Sequence, residues 1–387
     1  MQQKDLFFLK EGITFLNHGS FGACPKPVFE DWQKWQMELE REPVQFFVHR
    51  GMEVMQTSKM HLAKFIGCSS EDLVFTPNPT YAINIVAKSL KLERGDEVLA
   101  SSHEYGAMDR TWNYYCEKAG AKYINQSISL PIVSEDMMFE EFWKGYSKNT
   151  KVVFINHISS ATALIFPVKR IIERAKELGL MTIIDGAHVP GHLHLDISDL
   201  DPDIYTGANH KWLLTPKGNS FLYVRKELQR LFDPLLISWG YKSMAPGPNR
   251  FHDYHELQGT RDYTSFLTIP AALNFIEDHS WNEVVVSCKM EILRHYKSLC
   301  DVVGTNPICP INNRFLGQMA SIPVRTKDPL MLKSLLYKEY QIEIPVFSWQ
   351  DYVFVRISLN GYNDESDIHT LAEAMSDLVA RGEILVG

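Results

Sequence analysis

The 387-residue chain lacks the features that would place it in several large classes. Its six cysteines, Cys24, Cys68, Cys116, Cys288, Cys300 and Cys309, include no CxxC pair. They are too sparse for a disulfide framework, so reduced thiols and a cytoplasmic location are expected. No apolar run approaches the roughly 18 residues of a membrane span, and the run Leu6–Leu9 near the start is too short for a signal-peptide core. Positive charge is not in excess either: Lys plus Arg number 39 against 47 Asp plus Glu, a formal net charge of −8. A chain that grips a phosphate polymer needs clustered cations, so nucleic acid is not an expected partner. No GxGxxG follows an apolar run, which leaves a dinucleotide without its phosphate loop. Internal repeats and low-complexity tracts are absent too.

What recurs is an alternation of short apolar runs with longer amphipathic stretches. DLVF (72–75), EVLA (97–100), KVVFI (151–155), MTII (181–184) and FLYV (221–224) read as buried strands. Between them lie helical patterns such as YAINIVAKSL and VKRIIERAKELG (168–179), the latter stopping at a glycine. Such alternation predicts an α/β protein with a mainly parallel central sheet and helices on both faces. Residues 234–259, rich in Trp, Tyr, His, Pro and Gly, read as a long ordered loop. The helical stretches AALNFIEDHSW and EVVVSCKMEILRHYKSLC and the strand YVFVRISL (352–359) then form a smaller α+β unit. The expected division is 45–255 for the large domain, with 1–44 and 256–387 together forming the small one.

In open parallel sheets, ligands bind beyond the carboxyl ends of the strands. Those ends carry Thr80, His103, Ser160, Asp185 and the pair His210-Lys211, which would converge on one crevice. Lys211 sits beside Trp212 and Leu213, where desolvation would lower its pKa and favour Schiff-base chemistry. Asp185 suits a helix N-cap, but a carboxylate at a buried strand end also invites a cationic partner. The segment Asn78-Pro79-Thr80 supplies a helix start and a hydroxyl for a phosphate. A lysine for an aldehyde, a carboxylate for a pyridinium nitrogen and a ring-stacking histidine together describe a pyridoxal phosphate site.

LNHGSFGACPKPV (16–28), EPVQFF (42–47), HEYGAMDR (103–110), DGAHVPG (185–191), ANHKWLLTPKG (208–218) and GTRDYTSF (259–266) resemble the isopenicillin N epimerase-like branch of class V aminotransferases. The resemblance implies the fold type I, aspartate aminotransferase-like architecture with pyridoxal 5'-phosphate as cofactor. It also implies roles. Lys211 would carry the cofactor as a Schiff base and shuttle the Cα proton. Asp185 would pair with the pyridine nitrogen, His103 would stack on the ring, and His188 would lie near the phenolic oxygen. Pro79, Thr80, Ser160 and His210 would surround the cofactor, and Thr260 would reach the phosphate of a partner subunit in a homodimer. Arg356 would clamp the substrate carboxylate, while Asn17 and His18 would line the entrance. Cysteine desulfurases of this class carry a mobile cysteine shortly before that arginine. Here no cysteine follows Cys309, so persulfide formation is disfavoured.

The reaction at Cα is left open between epimerisation, transamination and carbon–sulfur lysis of an amino acid. Epimerisation needs an acid opposite Lys211, for which Tyr81, Tyr105 and His18 are candidates. A zinc hydrolase using His188, His192 and His194 is a remote alternative, resting on HVPGHLH alone.

Overall fold

The computed structural model describes residues 3–382 and 384–387. Its main sheet has seven strands: β1 (Leu73–Thr76), β2 (Glu97–Ser101), β3 (Lys122–Gln126), β4 (Thr150–Asn156), β5 (Met181–Asp185), β6 (Ile204–Ala208) and β7 (Ser220–Val224). They lie in the order β1-β7-β6-β5-β4-β2-β3. Strand β7 is antiparallel to both neighbours, and the other pairings are parallel. Alternation along these apolar runs feeds two cores at once. Val98, Val152, Phe154 and Ile183 face one, and Leu99, Val153, Ile155 and Ile184 face the other. This is the mainly parallel sheet that the sequence pattern predicts.

Two strands of this sheet escaped the sequence reading. KYINQ of β3 is polar because it occupies the sheet edge, and IYTGA of β6 is short and small-residued although fully buried. The predicted loop over 234–259 is also corrected. It contains the helix Arg250–Glu256, whose residues after Arg250 are all buried despite their polarity. Asn249 caps it by accepting from the Phe251 N–H at 2.9 Å. Its last residue, Glu256, accepts from Lys59 at 2.8 Å and from the Phe75 N–H at 3.0 Å. The buried charge is thus satisfied by a cation and by β1.

Helices α1 (Pro79–Ser89) and α2 (Gly106–Ala119) flank the main sheet, and α3 (Trp281–Val302) and α4 (Glu365–Arg381) belong to the C-terminal part. A second sheet, order β9-β10-β8-β11, is antiparallel and comprises β8 (Met319–Thr326), β9 (Val346–Trp349), β10 (Tyr352–Ser358) and β11 (Leu385–Val386). Helices α3 and α4 pack against this sheet and against each other. The chain's beginning joins the same region: Thr14–Phe15 pairs with Ile342–Glu343, and the Ser358 N–H donates to the Leu16 carbonyl at 3.0 Å. No helix among the described residues is long and apolar enough to cross a membrane.

Lys59 and Glu256 have side chains only 2% and 1% exposed. Lys59→Met strands the carboxylate in the core, and denaturant unfolding should show a loss of about 3–5 kcal/mol.

Candidate active site

The carboxyl ends of β1, β2, β4, β5 and β6 open on a cavity of about 940 Å³. The turn after β1 brings Pro79 and Thr80 at the start of α1, where Asn78 caps the helix by accepting from the Tyr81 N–H. The turn after β2 brings Glu104 and Tyr105 at the start of α2. Strands β4 and β5 end side by side on Asn156 and Asp185, which pair in register. The far wall comes from the second sheet, through Phe347, Trp349 and Arg356.

Lys211 lies in the hairpin loop joining β6 to β7, and its backbone is clamped from several directions. His210 lies against the Asn219 carbonyl with Nδ1 at 2.8 Å, and Asn219 in turn donates to the Ser265 carbonyl at 2.7 Å. Gly22, at φ +69°, packs so closely that a Cβ there would sit 2.2 Å from the His210 carbonyl oxygen. Gly191, at φ +82°, would likewise place a Cβ 2.3 Å from the Trp212 carbonyl oxygen. Only glycine meets both the conformation and the space.

Burial pushes the Lys211 amine down to about 7, the nearby Arg356 guanidinium adds to the fall, and Asp185 opposes it. The lysine is therefore a free amine over much of the neutral range. His188 completes the arrangement. The Trp212 indole N–H donates to its Nδ1 at 3.3 Å, which places the ring proton on Nε2. That Nε2–H lies 3.1 Å from Lys211 Nζ and meets its lone pair. Burial holds His188 well below the ordinary histidine range, with Lys211 and Arg356 contributing. Asp185, buried, accepts from the Ala187 N–H at 2.9 Å, and desolvation raises its pKa.

Arg356 is 4% exposed and makes no ion pair with a carboxylate among the described residues. Its NH1 donates to the Ser160 carbonyl and hydroxyl at 2.5 and 3.1 Å, and its NH2 donates to the Ser20 hydroxyl at 3.0 Å. Its Nε–H is buried without a partner. A desolvated guanidinium with neutral ligands and a spare donor, on a cavity wall, is built to receive an anion.

The structure thus brings together Pro79, Thr80, Ser160, Asp185, His188, His210, Lys211 and Arg356. It does not bring His103, and the expected ring-stacking place is corrected. His103 Nε2 donates to the Ile128 carbonyl at 3.0 Å, its Nδ1 meets the Thr162 hydroxyl at 3.0 Å, and its ring faces Trp349 and Phe166 outside the cavity. Two residues on, Tyr105 lines the cavity instead, half exposed. Asn17 and His18 do not line the entrance either. Asn17 accepts from the Ser20 hydroxyl, and His18 is buried behind the loop, where Nε2 donates to the Lys211 carbonyl at 3.1 Å. Gly19, Ser20 and Phe21 take the wall position. Tyr81 points to Gln258 rather than into the cavity. Thr260 is exposed and lies off this chain's cavity wall.

The zinc trio of the remote alternative is not assembled among the described residues. His192 Nε2 accepts from the Gln318 N–H at 2.6 Å and Nδ1 donates to the His188 carbonyl, while His194 is exposed. Sequence reasoning also passed over Glu104, a buried carboxyl raised to about 8 by desolvation. Its only signal was its place in HEYGAMDR, beside the tyrosine.

Gly22→Ala strains φ and collides with the Lys211 loop, whereas Gly12→Ala, at φ +76° with open space, meets strain alone. Denaturant unfolding should show Gly22→Ala costing about 1–3 kcal/mol more than Gly12→Ala.

Comparison with known proteins gives the family and the fold. The pattern of the family Aminotransferase class-V matches residues 23–371. An isopenicillin N epimerase of Amycolatopsis lactamdurans is 31% identical over 386 residues, covering 96% of each chain. An L-cysteine desulfhydrase of Arabidopsis thaliana is 24% identical, covering 95% of this chain and 88% of its own. Among solved structures, a C-DES mutant with glycine covalently linked to its pyridoxal phosphate superposes with a TM-score of 0.82 over 97% of this chain and 100% of the other. At 19% identity that likeness establishes the fold, type I among pyridoxal phosphate enzymes. With the family match spanning most of its length, the chain belongs to the class V aminotransferases, enzymes whose cofactor is pyridoxal phosphate.

Proposed function

We propose that this enzyme epimerises an amino acid at Cα, with Lys211 and Tyr105 as the two proton carriers. The observation that carries the reading is Arg356, a buried cation without a carboxylate partner among the described residues, lining the same cavity as the Lys211 amine. A ligand that satisfies both sites presents a carboxylate to one and its α-carbon to the other, as an α-amino acid does.

The residues present fit pyridoxal phosphate. The N-terminus of α1 with Thr80 and His210 would hold the phosphate. Asp185 would pair with the pyridine nitrogen, Lys211 would be the covalent anchor, and His188 would sit beside it. Tyr105, rather than His103, would face the ring. The cofactor supplies the electron sink that stabilises negative charge at Cα. The chain's own residues do the rest. Arg356 fixes the carboxylate, Lys211 Nζ takes or returns the Cα proton, and the Tyr105 hydroxyl serves the opposite face.

The second reading is carbon–sulfur lysis without a protein persulfide. It is supported by the desulfhydrase relative and by the absence of cysteine from the described cavity wall. Six free thiols suit the reducing cytoplasm that we propose as its location. We also propose a homodimer in which Thr260 serves the partner's site, because it lies off its own. A cavity walled by both sheets supports dividing the chain at 45–255 against 1–44 plus 256–387.

The test is an amino-acid panel incubated in D2O, read by chiral chromatography, Cα deuterium content, and keto-acid and sulfide assays. Deuterium in both enantiomers without sulfide is expected; sulfide with keto acid as the main products overturns epimerisation in favour of lysis. Tyr105→Phe should stop inversion while Cα exchange continues, and Arg356→Lys should lower kcat/KM roughly 10–100-fold, the effect of about 1.5–3 kcal/mol. Since the Lys211 pKa is lowered to about 7, its neutral fraction falls as pH drops below that value. Covalent capture of added cofactor by the apoenzyme should therefore be flat from pH 8 upward and slow about tenfold per unit well below 7. A rate that keeps rising toward pH 10 would show an ordinary lysine.

A further inference from the structure

Away from the cavity, α3 and α4 each carry a glutamate followed four residues later by a histidine: Glu291 and His295 on α3, Glu365 and His369 on α4. Residues four apart share a helix face, and the two helices pack together, so the pairs meet. His295 Nε2 lies 3.3 Å from Glu365 Oε1 and 3.3 Å from Glu291 Oε2, and His369 Nε2 lies 3.9 Å from Glu365 Oε1. The ligand atoms of His295, Glu365 and His369 all fall within 4.8 Å of one another.

These contacts lack the geometry of good hydrogen bonds. His295 Nε2 and Glu291 Oε2 are both buried without a hydrogen-bond partner. Arg294 already occupies Glu291 through Oε1 at 3.0 Å, whereas Glu365 faces only imidazoles and no Lys or Arg among the ion pairs of the described residues. Bonds of about 2.0–2.2 Å from a tetrahedral ion would space neighbouring ligand atoms ~3.3–3.6 Å apart. The His295–Glu365 separation of 3.3 Å matches this, and the His369 ring at 3.9 Å needs a small side-chain movement to meet it.

We propose that His295, Glu365 and His369 form a binding site for a divalent ion of the zinc class, bridging α3 and α4. Two imidazoles and one carboxylate suit such an ion, and water completes the shell. Magnesium, which demands an octahedral oxygen shell, is a poor match. None of the four residues lines the cavity, so the ion is structural and independent of the reaction at Cα. It would tie the C-terminal helix to the helix beneath it.

The test uses tag-free holoenzyme, stripped with chelator and titrated with zinc chloride by calorimetry, followed by elemental analysis and thermal unfolding. The wild type should hold one zinc per chain with a Kd of about 1 µM or tighter, and should gain about 4 °C at hundredfold excess, with magnesium inert. His369→Ala and Glu365→Gln, both on exposed side chains, should each weaken zinc at least tenfold and abolish the thermal gain. Both should retain the cofactor's visible absorption, which certifies the fold. No zinc bound by the wild type, or equal binding by both variants, overturns the site.

Discussion

Two desolvated basic groups that face one cavity, the Lys211 amine and the Arg356 guanidinium, govern this molecule. Burial lowers the Lys211 amine to about 7 and the Arg356 guanidinium to about 10, and the arginine's charge adds to the lysine's fall. Each is held by neutral groups: His188 at Lys211, and Ser160 with Ser20 at Arg356. The arginine's charge, kept this way, costs free energy until an anion arrives, and that cost becomes selectivity for a carboxylate-bearing substrate. The same desolvation makes the lysine a nucleophile at neutral pH.

Keeping the lysine in place takes pieces from distant parts of the chain. His18 binds the Lys211 carbonyl, and its ring packs 4.6 Å from Trp212, which also lies 4.2 Å from His192. The Trp212 indole then sets the His188 tautomer, and His188 addresses the lysine. The segment around LNHGSFG therefore serves the catalytic loop from behind, and it reaches the cavity only through Gly19, Ser20 and Phe21.

Much of the fold was legible because burial on both faces forces continuous apolar runs, which β1, β2, β4, β5 and β7 all show. Strand β3 was hidden because an edge strand need not be apolar, and the helix at 250–256 because its charges are paired inside. At the site, Asp185, Lys211 and Thr80 were read from chemical type and position relative to strand ends, whereas Arg356 came only from the family resemblance; all four line the cavity. His103 was misplaced because the turn after β2 sends it inward and presents Tyr105 to the cavity. In a turn, unlike a strand, no period tells which side chain faces the ligand.

The amino-acid sequence alone determined the strand-helix alternation, the crevice at the strand ends and the kinds of groups that meet there. These depend on local patterning and side-chain chemistry. Tertiary structure alone decided which histidines enter the cavity, which tautomer His188 adopts and how far the lysine pKa falls. Those properties belong to contacts across the chain, such as His18 with Lys211 and Tyr362, and to burial, a property of the packed whole.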